Sequence, residues 1–140
     1  MIDRVTRVPV LTMLALLCAV ATGSCSSEED STGRDLLGSW RIAGVTVEDG
    51  PVDLDELDFV PTLRVSADAV SGTLDCNDYG ADRSSHGAMF PSVITTLVGC
   101  GDTEGASGDY LHALSAVTTA EVTGDEATLS GPSVRIDLVR

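Results

Sequence analysis

The 140-residue sequence contains no lysine, and its eight basic residues, all Arg, face 22 acidic ones for a formal charge of −14. A chain this acidic repels phosphate backbones, so nucleic acid is not expected as a partner. Aromatic residues are also scarce, with one Trp, two Tyr and two Phe, too few for a stacking platform for bases or sugars. Four cysteines and two histidines, without Cys-x-x-Cys or His-x-x-x-His, lack metal-ligand spacing. No Gly-rich phosphate loop is present and the Arg residues of the body stand singly along the chain, so nucleotide cofactors have no visible seat. The length leaves room for one globular domain and excludes a two-domain enzyme.

What the sequence does contain begins with an address. Arg4 and Arg7 precede an apolar run from Val8 to Val20, the basic and hydrophobic regions of an export signal. The run is too short to span a bilayer, which needs about 20 apolar residues. Two cleavage sites compete. Ala19-Val20-Ala21 fits ordinary signal peptidase, whereas Thr22-Gly23-Ser24-Cys25 resembles the lipobox of bacterial lipoproteins, with Thr22 where Leu is usual. Ordinary cleavage would leave an odd set of thiols, Cys25, Cys76 and Cys100, in an oxidising compartment. Lipidation of Cys25, with palmitate-type acyl chains, removes the surplus thiol and favours a cell-membrane lipoprotein over a secreted protein.

This reading divides the chain into a signal peptide (1–24), a lipidated Cys25 with a flexible acidic linker (25–34) and a domain (35–140). Loss of Arg4, Arg7 and Asp3 with the signal leaves six basic and 21 acidic residues and a net charge of −15.

From Asp35 onward the hydrophobic pattern is short and alternating, broken by turn residues, which predicts an antiparallel sheet or barrel. Trp40 and Ile42 share one face before the phase shifts at Gly44, the mark of a bulge. Leu63 and Val65 alternate with Arg64, Val70, Gly72 and Leu74 repeat the rhythm, and Val134, Ile136 and Leu138 form the clearest strand. One stretch carries the helical period instead: Tyr110, Leu111, Leu114 and Val117 form a stripe, with Ser107 as the expected N-cap and Asp109 in the first turn. The stripe predicts a helix over 107–118 that covers the sheet. Tyr110 reads as core and His112 as a wet surface residue.

Cys76 and Cys100 are the thiols left in the body, and export places them where a disulfide persists. The segment Val70-Ser-Gly-Thr-Leu-Asp-Cys-Asn-Asp-Tyr-Gly80 is similar to the "G-x-x-G-C-N-x-Y" segment of META domains, the HslJ-type heat-inducible proteins. Other segments follow in the family's order. Leu37-Gly-Ser-Trp40 resembles "L-x-G-x-W", Thr95-Thr96-Leu-Val-Gly-Cys100 resembles "T-x-M-A-C", and Tyr110-Leu111-His-Ala-Leu114-Ser-Ala-Val117 resembles "F-L-x-A-L-x-x-V". Gly124 to Leu129 matches a closing turn and strand. Asp75 stands where the family has Gly, and Leu97-Val98 replace its Arg/Met pair. The resemblance implies a mainly β, small antiparallel β-barrel-like domain with one helix, carried by exported bacterial proteins associated with envelope stress, and it implies no reaction. Trp40, Gly72, Cys76, Asn77, Tyr79, Thr96, Cys100, Leu111 and Leu114 are the family-motif positions. Asn77 also has a local reading as a turn cap.

The sequence carries no recognisable catalytic constellation. Gly105-Ala-Ser-Gly-Asp109 breaks the Gly-x-Ser-x-Gly nucleophile turn at its last position. Ser84-Ser85-His86-Gly87 reads as a polar loop. Asp53-Leu-Asp-Glu-Leu-Asp58 and Asp75–Gly80 both fail the EF-hand spacing, which leaves only a weak calcium site at Asp53–Asp58 as an open alternative to a solvated acidic surface. The expectation is a monomeric, non-catalytic domain without cofactor or metal. It would be anchored to the membrane through lipid and act on an unidentified envelope protein, in stress tolerance or protease inhibition. The alternative is a carrier of a small hydrophobic ligand in a barrel cavity. The packing of Trp40, Ile42, Leu63, Leu111 and Ile136 is the discriminating observation.

Overall fold

The computed structural model describes residues 35–48, 50–57, 59–96 and 105–140. The signal, the linker, Cys25 and Cys100 therefore lie outside the described residues, as do Asp49 and Asp58. Among the described residues no helix is long and apolar enough to cross a membrane.

The chain is mainly β, in the order β1 (Gly38–Val47), β2 (Gly50–Pro51), a 3₁₀ turn (Leu54–Glu56), β3 (Thr62–Val65), β4 (Ala69–Leu74), β5 (Asn77–Asp82) and β6 (Ile94–Thr95). Helix α1 (Ala106–Ala116) follows, then β7 (Thr119–Thr123), β8 (Glu126–Gly131) and β9 (Val134–Val139). The strands form one antiparallel sheet in the order β6-β5-β4-β3-β1-β9-β8-β7, with β2 paired to β1. The predicted bulge is real: β1 follows β9 from Arg41↔Val139 to Ile42↔Leu138, then slips so that Gly44 faces Asp137.

Alternation decides which face of each strand is inside. Leu63 and Val65 of β3 are buried while Thr62 and Arg64 are exposed, and β9 buries Val134, Ile136 and Leu138. The strand ladder does not close, yet the sheet curls. In a flat sheet β5 and β7, second and eighth in order, would stand about 29 Å apart. Here Arg83, which follows β5, and Thr119 and Ala120 of β7 line one polar groove, and the Met89 N–H bonds the carbonyl of Val117 at 2.7 Å. The 83–90 segment, with Phe90 fully buried, bridges the two ends.

Helix α1 begins one residue earlier and ends two earlier than the 107–118 expected. Its N-cap is Gly105, at φ 67°, with no side-chain cap bond. Ser107 is not the cap but lies inside the first turn, buried, because small Ala106 and Ser107 let that turn settle into the core. Asp109 does sit in the first turn. At the other end a Cβ on Gly131 would come within 2.0 Å of the Ala116 carbonyl oxygen, so this glycine allows the helix end to rest on β8.

One hydrophobic cluster fills the interior. Trp40, Ile42, Leu63 and Ile136 all belong to it, each no more than 3% exposed, and Leu111 packs against it half-buried. Among the described residues its buried members run from Leu36 in the approach to β1 to Leu138 in β9.

Candidate functional site

The motif residues meet where β3 and β4 part. Their ladder runs from Val65↔Val70 to Arg64↔Ser71 and stops. Beyond it the two strands are joined through side chains. Thr62 Oγ1 and Thr73 Oγ1 share a hydrogen bond at 3.0 Å, and the Thr73 N–H donates to Thr62 Oγ1 at 3.2 Å. Gly72 pairs with Tyr79 across β4 and β5. A Cβ on Gly72 would stand 1.9 Å from the Thr62 carbonyl oxygen and 2.5 Å from the Tyr79 hydroxyl. The missing side chain lets Tyr79 cross β4 and donate its O–H to the Thr62 carbonyl at 2.5 Å.

Tyr79 is bonded in turn to Tyr110 of α1 at 2.5 Å, with the rings edge to face at 74°. Because a phenol carries one proton and that of Tyr79 goes to Thr62, Tyr110 is the donor between the two. Burial is the main reason why both tyrosines titrate above the ordinary phenol range, and for Tyr110 the charge of an ionised Tyr79 adds to the rise. The pair is a neutral structural tie between the sheet and the helix.

The neighbouring motif residues also converge. The Thr96 N–H donates to the Asp78 carbonyl at 2.9 Å, the Asp78 N–H to Thr96 Oγ1 at 3.0 Å, and Thr96 Oγ1 to Asn77 Oδ1 at 3.3 Å. Cys76 occupies the β4–β5 loop with Asp75, which takes a positive φ of 56° where the family resemblance places Gly. Cys76 is disulfide-bonded. Trp40 donates Nε1–H to the Leu36 carbonyl at 2.8 Å, and Leu114 is fully buried beside Tyr110.

The same parting of strands floors a groove of about 760 Å³, open to solvent, that crosses β5, β4, β3, β1 and β9. Three Arg residues and one Asp line it, in a chain of eight basic and 22 acidic residues. Arg140 is committed: its Nη2 bonds the carbonyls of Asp35 and Leu37, and its guanidinium lies 4.1 Å from the centre of the Trp40 ring. Arg41 and Arg64 are exposed, and neither makes an ion pair or side-chain hydrogen bond among the described residues. They stand diagonally across β1 and β3, because Arg41 faces Thr62 and Ser39 faces Arg64.

This grouping corrects the view of the arginines as scattered. Singly spaced along the chain, they are gathered by strand register. The sequence signal that could have found them is the outward phase of Ser39 and Arg41 on β1 and of Thr62 and Arg64 on β3.

Other candidates are placed apart. Ser85 Oγ bonds His86 Nδ1 at 2.9 Å in an exposed loop whose remaining bonds tie Ser84 to the His86 backbone. No carboxylate orients that histidine among the described residues. His112 is exposed on α1. Asp53 caps the 3₁₀ turn by accepting from the Asp55 N–H at 3.0 Å, and among the described residues no three His, Cys, Asp or Glu gather as metal ligands.

No family model matches the chain, and no curated protein matches it. Among solved structures it is similar to a protein from Burkholderia xenovorans determined by NMR, with a TM-score of 0.60 and 20% identity over 79% of this chain and 86% of that one. At that identity the likeness is one of fold.

Proposed function

We propose that the chain is an exported, lipid-anchored binding domain of the META type that performs no catalysis and acts by contact with a protein of the cell envelope. The observation that carries this reading is the packed interior. Trp40, Leu63, Tyr110, Leu129 and Ile136 leave the helix-covered side of the sheet filled, while Phe59 and Val60 stand 65% and 59% exposed in the loop before β3. A domain with a full core presents its chemistry on its surface, and adjacent exposed apolar side chains are a feature of contact surfaces. The grooves described above open to the outside, so the same packing disfavours a hydrophobic cargo held within the fold.

The export signal, the Cys25 lipobox resemblance and the disulfide state of Cys76 support the location outside the cytoplasm. The contacts of Gly72 with Tyr79 and of Asn77 with Thr96 support the META resemblance, since they give its spacing one structural meaning. A photocrosslinking residue at Phe59 in intact cells should capture one specific envelope protein, and a Cys25→Ser variant should lose lipid label. Repeated recovery of no specific partner would defeat the contact reading. Full labelling of the serine variant would defeat the anchor alone.

A further inference from the structure

We propose that the groove across β5, β4, β3, β1 and β9 binds a small amphipathic organic anion, a carboxylate or phosphate head on a hydrocarbon body, with the head held between Arg41 and Arg64. The site is independent of the partner-protein reading and uses different residues.

Three observations carry it. The first is charge. In a chain of −14, two guanidinium groups stand exposed with no ion pair among the described residues, in a groove whose one carboxylate is Asp78. Diagonal neighbours on adjacent strands lie about 7 to 8 Å apart at the backbone, so two long Arg side chains can converge on one anionic head. Each presents a fork that matches carboxylate or phosphate oxygens.

The second is the hydroxyl setting. Ser71 lies opposite Arg64, and Thr62 lies opposite Arg41. These side chains line the groove and supply neutral donors beside the charged ones.

The third is shape. A volume of about 760 Å³ falls in the range of small-molecule sites, which are concave and mostly apolar with a few placed polar groups. Here Val139, Leu63 and Trp40 belong to the lining beside the arginines.

The charge balance also selects a free small ligand over an anionic surface. A membrane rich in anionic lipid would meet the whole acidic domain and be repelled, whereas a single small anion meets only the groove.

The test uses the full chain and calorimetric titration with four probes: octyl phosphate, octanoate, inorganic phosphate and octyl glucoside. Octyl phosphate and octanoate should bind, inorganic phosphate should bind at least about tenfold more weakly for want of a hydrocarbon body, and the uncharged glucoside should not bind. Arg41→Gln and Arg64→Gln should each weaken binding about tenfold, with Arg41→Lys in between. Arg135→Gln serves as control, because Arg135 is already paired with Asp137 at 2.8 Å and should change nothing.

Circular dichroism and the emission of Trp40, the sole Trp, verify that each variant is folded. No binding of either amphiphile at millimolar concentration overturns the proposal, as does equal weakening by Arg135→Gln. Arg64-dependent binding to phosphatidylglycerol vesicles without binding of the free amphiphiles overturns the assignment to a free ligand. None of these results bears on capture at Phe59.

Discussion

The two halves of the sheet hold together by different means. From β1 through β9 and β8 to β7 the ladders are long and the packing is ordinary. β8 and β9 pair continuously from Glu126↔Val139 to Gly131↔Val134, and Leu129, Ile136 and Leu138 are almost fully buried under α1. On the other side the β3–β4 ladder stops after Arg64↔Ser71, although β4 and β5 pair continuously from Ala69↔Asp82 to Leu74↔Asn77, and β6 is two residues long. There the strands are joined by threonine hydroxyls, the Tyr110–Tyr79–Thr62 chain of bonds and a disulfide at Cys76. The motif residues Gly72, Cys76, Asn77, Tyr79 and Thr96 all lie in this second half. Gly72 and Tyr79 lie where β3 and β4 part, on the floor of the groove, while Asn77 and Thr96 fasten β5 to the segment that follows β6.

The contrast breaks most completely at the disulfide. If Cys76 and Cys100 close a 25-residue loop, Cys76→Ser should cost about 3.5 kcal/mol on the loop-entropy model, read by urea denaturation. Mass spectrometry with and without reductant should show the paired thiols. An unchanged midpoint would mean that this half does not depend on the bridge.

Gly72→Ala comes next. The added methyl must displace the Thr62 carbonyl or the Tyr79 ring, and a loss of about 3 kcal/mol is expected, in the range of overpacking combined with a lost buried hydrogen bond. A Gly→Ala change at Gly44, where the new Cβ would meet only Asp137 side-chain atoms at 3.6 Å or more, should cost far less.

Tyr110→Phe removes the donor to Tyr79 and should cost about 1 to 2 kcal/mol at neutral pH. Its pH signature is more telling. Both phenols are raised in the fold, so their contribution is fully present below the unfolded value of about 10 and falls as pH rises above it toward the folded values. Removal of one such phenol should flatten the alkaline decline by up to about 1.4 kcal/mol per pH unit. An unaltered slope would mean that Tyr110 ionises in the fold as freely as in the unfolded chain.

The smallest effect sharpens the comparison instead of breaking it. Asp75 holds φ at 56° in the β4–β5 loop, and Asp75→Gly should raise stability by about 0.5 kcal/mol, as relief of the left-handed backbone outweighs the extra freedom of Gly in the unfolded chain. Thermal melting would show a gain of a few degrees at most. A loss would show that Asp75 makes a compensating contribution.

The regular half was the more legible. Alternation marked β9, the phase shift at Gly44 marked the bulge, and the stripe from Tyr110 to Val117 marked α1, because burial on one face imposes a period on any strand or helix. In the second half alternation marked β3 and β4, but how these strands are joined was legible only as a spaced motif. Nothing local in Gly72 or Tyr79 says that one lies across the other; that follows from their cross-strand register. Ser107, the cap that local preference predicts, lies inside the helix for a similar reason: capping preference is a local signal, and the burial of the first turn against the core overrides it.

The sequence by itself determined the class of the molecule: one small β-rich domain with a covering helix, strongly acidic, with inward and outward residues assigned by alternation. Those properties depend on composition and short-range period, which need no knowledge of strand order. Tertiary structure alone decided that the sheet curls without closing its ladder, that its interior is filled, and that Arg41, Arg64 and Arg140 share one groove. The reason is register. Neighbours across strands are set by pairing between segments as far apart in sequence as Arg41 and Val139, and no short window along the chain contains both partners.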